Sequence, residues 1–208
     1  MQHVVTPVER EKKDCILVSA AKAFSRLGFK KASVDEIARD AGVAKGTIYL
    51  ACESKEDLFY QAIHRELRTW VAETAKLVDP RKPADELLAT VALAGVAYLD
   101  QHPLVRDLFL GGYNAQLPAW VDRFEELRAL GRQNVIEILQ LGIRQGRFRR
   151  DLDVDEVATL LQDLNSSTYV FHHHRWGHDD GTRAAKLARR VEAGLDLVLN
   201  GLRTHPAR

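Results

Sequence analysis

The run Lys45-Gly46-Thr47-Ile48-Tyr49-Leu50 places an ammonium, a hydroxyl and a phenol within five consecutive positions. Donors of this kind suit phosphate oxygens and base edges. Gly46, with no side chain, lets the backbone come close to a partner. Ahead of it, Ser33-Val34-Asp35-Glu36 has the form of a capping box, in which Ser33 accepts from the third helical amide and Glu36 reaches back. Ser54-Lys55-Glu56-Asp57 repeats the pattern with Asp57 in place of glutamate. Between the two lies Asp40-Ala41-Gly42-Val43, where a sharp turn between helices requires the positive φ that glycine supplies. The chemistry offered is recognition of a polyanion by a short helix presented behind a fixed turn.

Catalytic chemistry finds little support. No glycine-rich phosphate loop and no nucleophile–base pair is visible, so neither an enzyme nor a bound cofactor is expected. His172-His173-His174 with His178 invites a metal reading. Successive helical residues point about 100° apart, so three adjacent histidines cannot converge on one ion while helical. No metal site is assigned, and an all-helical metalloenzyme would need those histidines to meet a carboxylate. Cys15 and Cys52 make no disulfide framework, which fits a cytoplasmic chain.

A second constellation lies further along. Trp120, Phe124, Leu127, Gly131, Asn134, Ile138 and Leu141 alternate steps of four and three and share one helix face. Gly131 and Asn134 interrupt this apolar stripe. One reading is a pocket for a partly apolar small molecule, with Trp120, Phe124 and Leu127 as walls, a void at Gly131 and Asn134 as polar anchor. The other is a close helix crossing at Gly131, with Asn134 bonded to a neighbouring helix.

The elements that must carry these residues are helices throughout. The chain has 208 residues, 46% hydrophobic and 28% charged, and no stretch alternates in the manner of a strand. Its apolar runs are far shorter than the roughly 18–20 residues a bilayer span needs, so no membrane partner is expected. Met1 to Pro7 lacks the basic and apolar regions of a signal peptide. Net charge is +1, divided as +3 over residues 1–51 and −2 over the rest, a mildly basic head on a mildly acidic body. Helices are expected at about 16–27, 34–41, 45–51, 55–78, 84–101, 104–110, 119–145, 154–174 and 183–203.

This is an all-α chain of about nine helices. A helix-turn-helix DNA-binding domain over 10–70, with its motif at 33–52, precedes a helical bundle over 71–208 for ligand binding and dimerisation. The last two helices carry apolar residues on more than one side. Leu161 and Thr168 on one, with Leu195 and Val198 on the other, are candidates for a four-helix interface across a two-fold axis, the alternative being packing within one subunit.

Residues 32–49, from Ala32-Ser33-Val34-Asp35-Glu36-Ile37-Ala38 to Lys45-Gly46-Thr47-Ile48-Tyr49, followed by Ser54-Lys55-Glu56-Asp57-Leu58, resemble the TetR/AcrR family of bacterial transcriptional regulators. The likeness is dense over about 10–70 and architectural beyond it. Gly146-Arg147-Phe148-Arg149-Arg150-Asp151-Leu152 is similar to the turn before the family's penultimate helix. The resemblance implies a homodimer whose heads read a palindromic operator in double-stranded DNA and whose bodies bind a small-molecule inducer that releases it. By position it assigns Ser33, Thr47, Tyr49 and Lys55 to phosphates, and Lys45 with Gly46 to base edges. The sequence departs from the family pattern at Ala44, which cannot cap the second helix, at Leu50 and Ala51, and at Cys52 in place of a core phenylalanine. The alternative function is an architectural or protein-recruiting DNA-binding factor without a small-molecule ligand.

Overall fold

A computed structural model describes residues 7–113, 116–175 and 182–203. Among these residues the chain forms nine α-helices, one turn of 3-10 helix and an isolated bridge between Phe148 and Arg203. The helices are α1 (Pro7–Lys31), α2 (Val34–Asp40), α3 (Lys45–Ala51), α4 (Lys55–Ala75), α5 (Ala84–Gln101), α6 (Pro103–Phe109), α7 (Val121–Arg144), α8 (Val154–Arg175) and α9 (Arg183–Leu202). None is long and apolar enough to cross a membrane.

Several ends differ from the sequence expectation for local reasons. Gly28, at φ 75° and ψ 163°, does break α1, but one more turn follows the kink and reaches Lys31. The helix expected from 119 begins at Val121, because Pro118–Trp120 forms a tighter 3-10 turn. α4 stops at Ala75 rather than Val78; the amides of Leu77 and Val78 fold back onto the carbonyls of Thr74 and Ala75.

The described chain divides into two compact units, Met1–Arg68 with His102–Val105 and Thr69–Gln101 with Arg106–Arg208. In the first, Ile16, Ala20, Ala23 and Phe24 of α1 are buried, as their spacing requires. Phe24 meets Phe59 of α4 edge to face at 5.0 Å, and Phe29 meets Phe59 at 5.1 Å. Such rings contribute both area burial and about 0.5–1.5 kcal/mol per favourable pair. Arg65 of α4 holds both carboxylate oxygens of Asp14 on α1.

In the second unit α5 packs on α7, α7 on α8, α8 on α9, and α9 returns to α5. Leu87, Leu127, Ile138, Leu139, Phe148, Ala158 and Leu187 fill the centre. The loop after α7 is tied to the start of α5. Gln145 accepts from the Ala84 amide at 3.0 Å and donates to the Lys82 carbonyl at 2.9 Å. Asp85 receives two bonds from Arg147, at 2.7 and 2.8 Å, and a third from Arg203 at 3.1 Å. The Arg147 bonds hold the Asp85 carboxyl below the usual carboxylate range.

Two of the four residues expected at an interface are covered by the single chain itself. Leu161 and Leu195 are buried within the single chain, in which α8 packs on α7 and α9, and α9 on α5. Thr168 and Val198 are half-buried. Among the described residues of α8 and α9, Leu160 at 52%, Leu164 at 43% and Leu197 at 76% exposure are left outward.

Candidate functional site

The turn between α2 and α3 is fixed by backbone bonds. The amides of Ala41, Gly42 and Val43 donate to the carbonyls of Ile37, Arg39 and Ala38 at 2.9, 3.2 and 3.0 Å. Gly42 takes φ 66°, the left-handed conformation that would strain most side chains. Ile37, Ala38 and Ile48 are buried beneath the turn, so α3 is anchored through Ile48 and its opposite face is free.

That face carries Lys45, Gly46 and Tyr49, all exposed, with Thr47 half-buried beside them. The structure therefore brings four of the six proposed DNA-contacting residues onto one short helix. Lys45 pairs with Asp35 of α2 at 2.8 Å, and that bond raises the affinity of its amine for a proton. The pair is exposed and holds the ammonium in place with little energy of its own. Leu50 follows at 90% exposure. Ala44 precedes α3 without capping it, as its side chain dictates.

Ser33 and Lys55 flank this helix and have structural duties as well. Ser33 Oγ accepts from the Glu36 amide at 3.1 Å and caps α2. Its hydroxyl proton is still a donor. Glu36 does not complete the box as expected; its carboxylate pairs with Arg26 of α1. In the second box Ser54 accepts from Asp57 N–H at 3.0 Å, and the shorter Asp57 side chain accepts from Glu53 N–H at 3.0 Å. Lys55 donates to the Lys30 carbonyl at 3.3 Å and lies over the Phe29 ring at 4.8 Å. Its ammonium closes the last turn of α1, a role its sequence position did not disclose. Cys52, buried where a larger core residue was expected, has its thiol pushed up to about 11 by burial and stays protonated.

In the second unit the aromatic wall is present, but the void is filled. A Cβ at Gly131 would stand 2.8 Å from Trp70 Cζ3 and 3.2 Å from Phe109 Cζ. The indole of Trp70, on α4, occupies the space that the missing side chain leaves. Asn134 donates to the Val71 carbonyl at 2.9 Å and to Thr74 Oγ1 at 2.5 Å, so its amide joins α7 to α4. Gly131 and Asn134 thus both serve helix packing here, which supports the close-crossing reading of this stripe. Phe124 and Leu127 are buried core residues. Trp120 is half-buried, 6.3 Å from Phe124, with Arg123 stacked over it at 4.4 Å. In the sequence Trp70 is simply one apolar residue of the helix that follows Ser54. Nothing local linked it to a glycine on a distant helix.

Among the described residues no group of three or more His, Cys, Asp or Glu could hold a metal. The His172–His174 side chains and His178 lie outside the residues whose placement is described.

Comparison with known proteins places these features in context. Residues 16–62 match the model for bacterial regulatory proteins of the tetR family. The chain is 28% identical over 190 residues to the transcriptional repressor KstR2 of Mycobacterium tuberculosis, covering 90% of each. It is 29% identical over 143 residues to the fatty acid metabolism regulator protein of Bacillus subtilis, covering 67% of this chain and 72% of that one. The Bacillus subtilis regulator FadR, solved in complex with stearoyl-CoA, superposes with a TM-score of 0.65 at 22% identity, covering 91% of this chain and 99% of the other.

Proposed function

The chain belongs to the TetR family of bacterial transcriptional regulators, and from that premise we propose a homodimeric repressor that binds a palindromic operator and is released by a partly apolar effector carrying an acyl chain or a comparable body. Residues 10–70 are its DNA-binding domain and 71–208 its effector-binding and dimerisation domain. It works by binding rather than by catalysis, in the cytoplasm where the chromosome lies.

One observation carries this reading: the outward row Lys45, Gly46, Thr47 and Tyr49 on a helix anchored by Ile48 behind a left-handed Gly42. A helix held this way can enter a major groove, with Lys45 at base edges. Tyr49 and Thr47 would then position the backbone through phosphates. Ser33 contributes its hydroxyl proton at the groove edge, and Lys55 adds positive potential from its place over Phe29. The effector class is supported by the relative solved with stearoyl-CoA and by the fatty acid metabolism regulator.

Dimerisation through Leu160, Leu164 and Leu197, with Thr168 and Val198 beside them, would cover the apolar area that α8 and α9 leave outward. Two heads joined in this way bind adjacent half-sites with an effective concentration that neither has alone. The effector then acts by population shift, weakening DNA binding only as far as it prefers the non-binding conformation.

Selection of bound duplexes from a random pool tests the reading. Enrichment of an inverted repeat, reversed by stearoyl-CoA, is the expected result. A pool that remains random through successive rounds would refute sequence-specific binding.

A further inference from the structure

The Trp70 indole lies against two glycines on two helices. Its Cζ3 faces Gly131 of α7, and its Cζ2 is 3.5 Å from where a Cβ would stand on Gly95 of α5. The same point on Gly95 is 3.6 Å from Asn165 Nδ2 of α8. The indole N–H, two bonds from Cζ2, is buried with no hydrogen-bond partner, and so is Asn165 Oδ1, on the same amide as Nδ2. Most buried polar atoms in folded proteins are paired, so two orphans on side chains that both border Gly95 call for an explanation. Both side chains are half-buried overall, so each reaches towards the exterior while its orphan atom stays out of solvent.

The chemistry of the two atoms is complementary. An indole N–H only donates, and an amide oxygen only accepts. A hydroxyl group can both accept from an indole N–H and donate to an amide oxygen, so its chemistry suits both atoms. A carbonyl would satisfy the indole alone, and a hydrocarbon neither. Resting on the reading of the second unit as an effector-binding domain, we infer that Trp70 and Asn165 form a hydroxyl-reading point, which favours effectors whose acyl chain or comparable body bears an alcohol over stearoyl-CoA, whose chain bears none. Selectivity of this kind follows from the cost of leaving a built polar site unpaired.

The test uses the full chain and simple probes of one shape: cyclohexanol, cyclohexanone and cyclohexane at equal free concentrations. The indole 1H–15N resonance of Trp70 is assigned with Trp70→Phe and Trp120→Phe. Cyclohexanol should move it most, cyclohexanone less and cyclohexane least. Asn165→Leu should weaken cyclohexanol by about fivefold, one hydrogen bond's worth, and bring it level with cyclohexanone. Equal response to all three probes in the wild-type chain, as when an ordered water already bridges the atoms, would overturn the inference. So would an alcohol preference that survives Asn165→Leu. This readout needs no DNA, so a failed operator selection with a moving indole resonance would refute the repressor and leave this site standing. The reverse pattern would refute the site alone.

Discussion

The two units solve the problem of positioning a functional side chain in opposite ways. In the first, the residues that shape α3 lie within a few positions of it: Ser33 caps α2, Gly42 turns the chain and Ile48 anchors the helix. In the second, the residues that decide the interior come from α4, α5, α7 and α8, where Trp70 meets Gly131, Gly95 and Phe109. A site built from neighbours in sequence can be read from spacing. A site built by helix crossing depends on which faces meet, and spacing alone leaves several solutions open.

The largest expected effect separates the units through their cores. Phe59→Ala removes the ring that Phe24 and Phe29 both contact, and should cost about 3–5 kcal/mol. Denaturant titration should show that loss, and DNA binding should disappear with it. A change below about 1 kcal/mol, the typical size for an arbitrary substitution, would mean that the cluster is not the core of the head.

Next is Gly131→Leu, which forces a side chain against Trp70 and Phe109. Overpacking should cost about 1–3 kcal/mol and lower Tm by about 2–4 °C for each kcal/mol in a chain of this size. Operator affinity of the folded protein should be retained. Unchanged stability would restore the void that the structure fills with indole.

Acid sensitivity should follow from Asp85. Its carboxyl is held below the ordinary range by Arg147. The bond therefore adds stability above the unfolded carboxylate pKa of about 3.9, and this stability is lost as pH falls through the lower folded value. Asp85→Asn should cost about 1 kcal/mol at pH 7, discounted because Arg147 and Arg203 are half-exposed. Its stability should also fall less steeply below about pH 4. Parallel acid limbs for variant and wild type would show that the charge is not used.

Ser33→Ala removes the cap on α2 and should cost about 1 kcal/mol. Its effect on DNA affinity should exceed its effect on stability if the hydroxyl proton also reaches a phosphate. Ser33→Thr, which keeps both functions, should restore them.

Much of this was legible in the sequence. The helical class, the caps at Ser33 and Ser54 and the turn at Gly42 are local consequences of residue type. The resemblance over residues 32–58 carried the family. What the sequence concealed was long-range. Lys55 is drawn to the Lys30 carbonyl by the fold of α1 against α4. Leu161 and Leu195 carry the same apolar signal as Leu160 and Leu197, and only the packing of α8 on α9 decides which pair faces inward. Asn134 in an apolar stripe suited an anchor or a bridge equally well until Thr74 and Val71 were found beside it.

The central claim is that the outward row of α3 reads DNA. It is tested most directly by fluorescence anisotropy of the selected duplex with wild type, Lys45→Ala and Tyr49→Phe over a range of salt. Wild type should show affinity that falls steeply with salt. Tyr49→Phe, which removes one uncharged phosphate donor, should weaken all duplexes alike, and Lys45→Ala should both weaken binding and relax discrimination against a mutated half-site, a base contact being worth about 1–3 kcal/mol. Wild-type affinity, salt slope and discrimination in both variants would contradict the account.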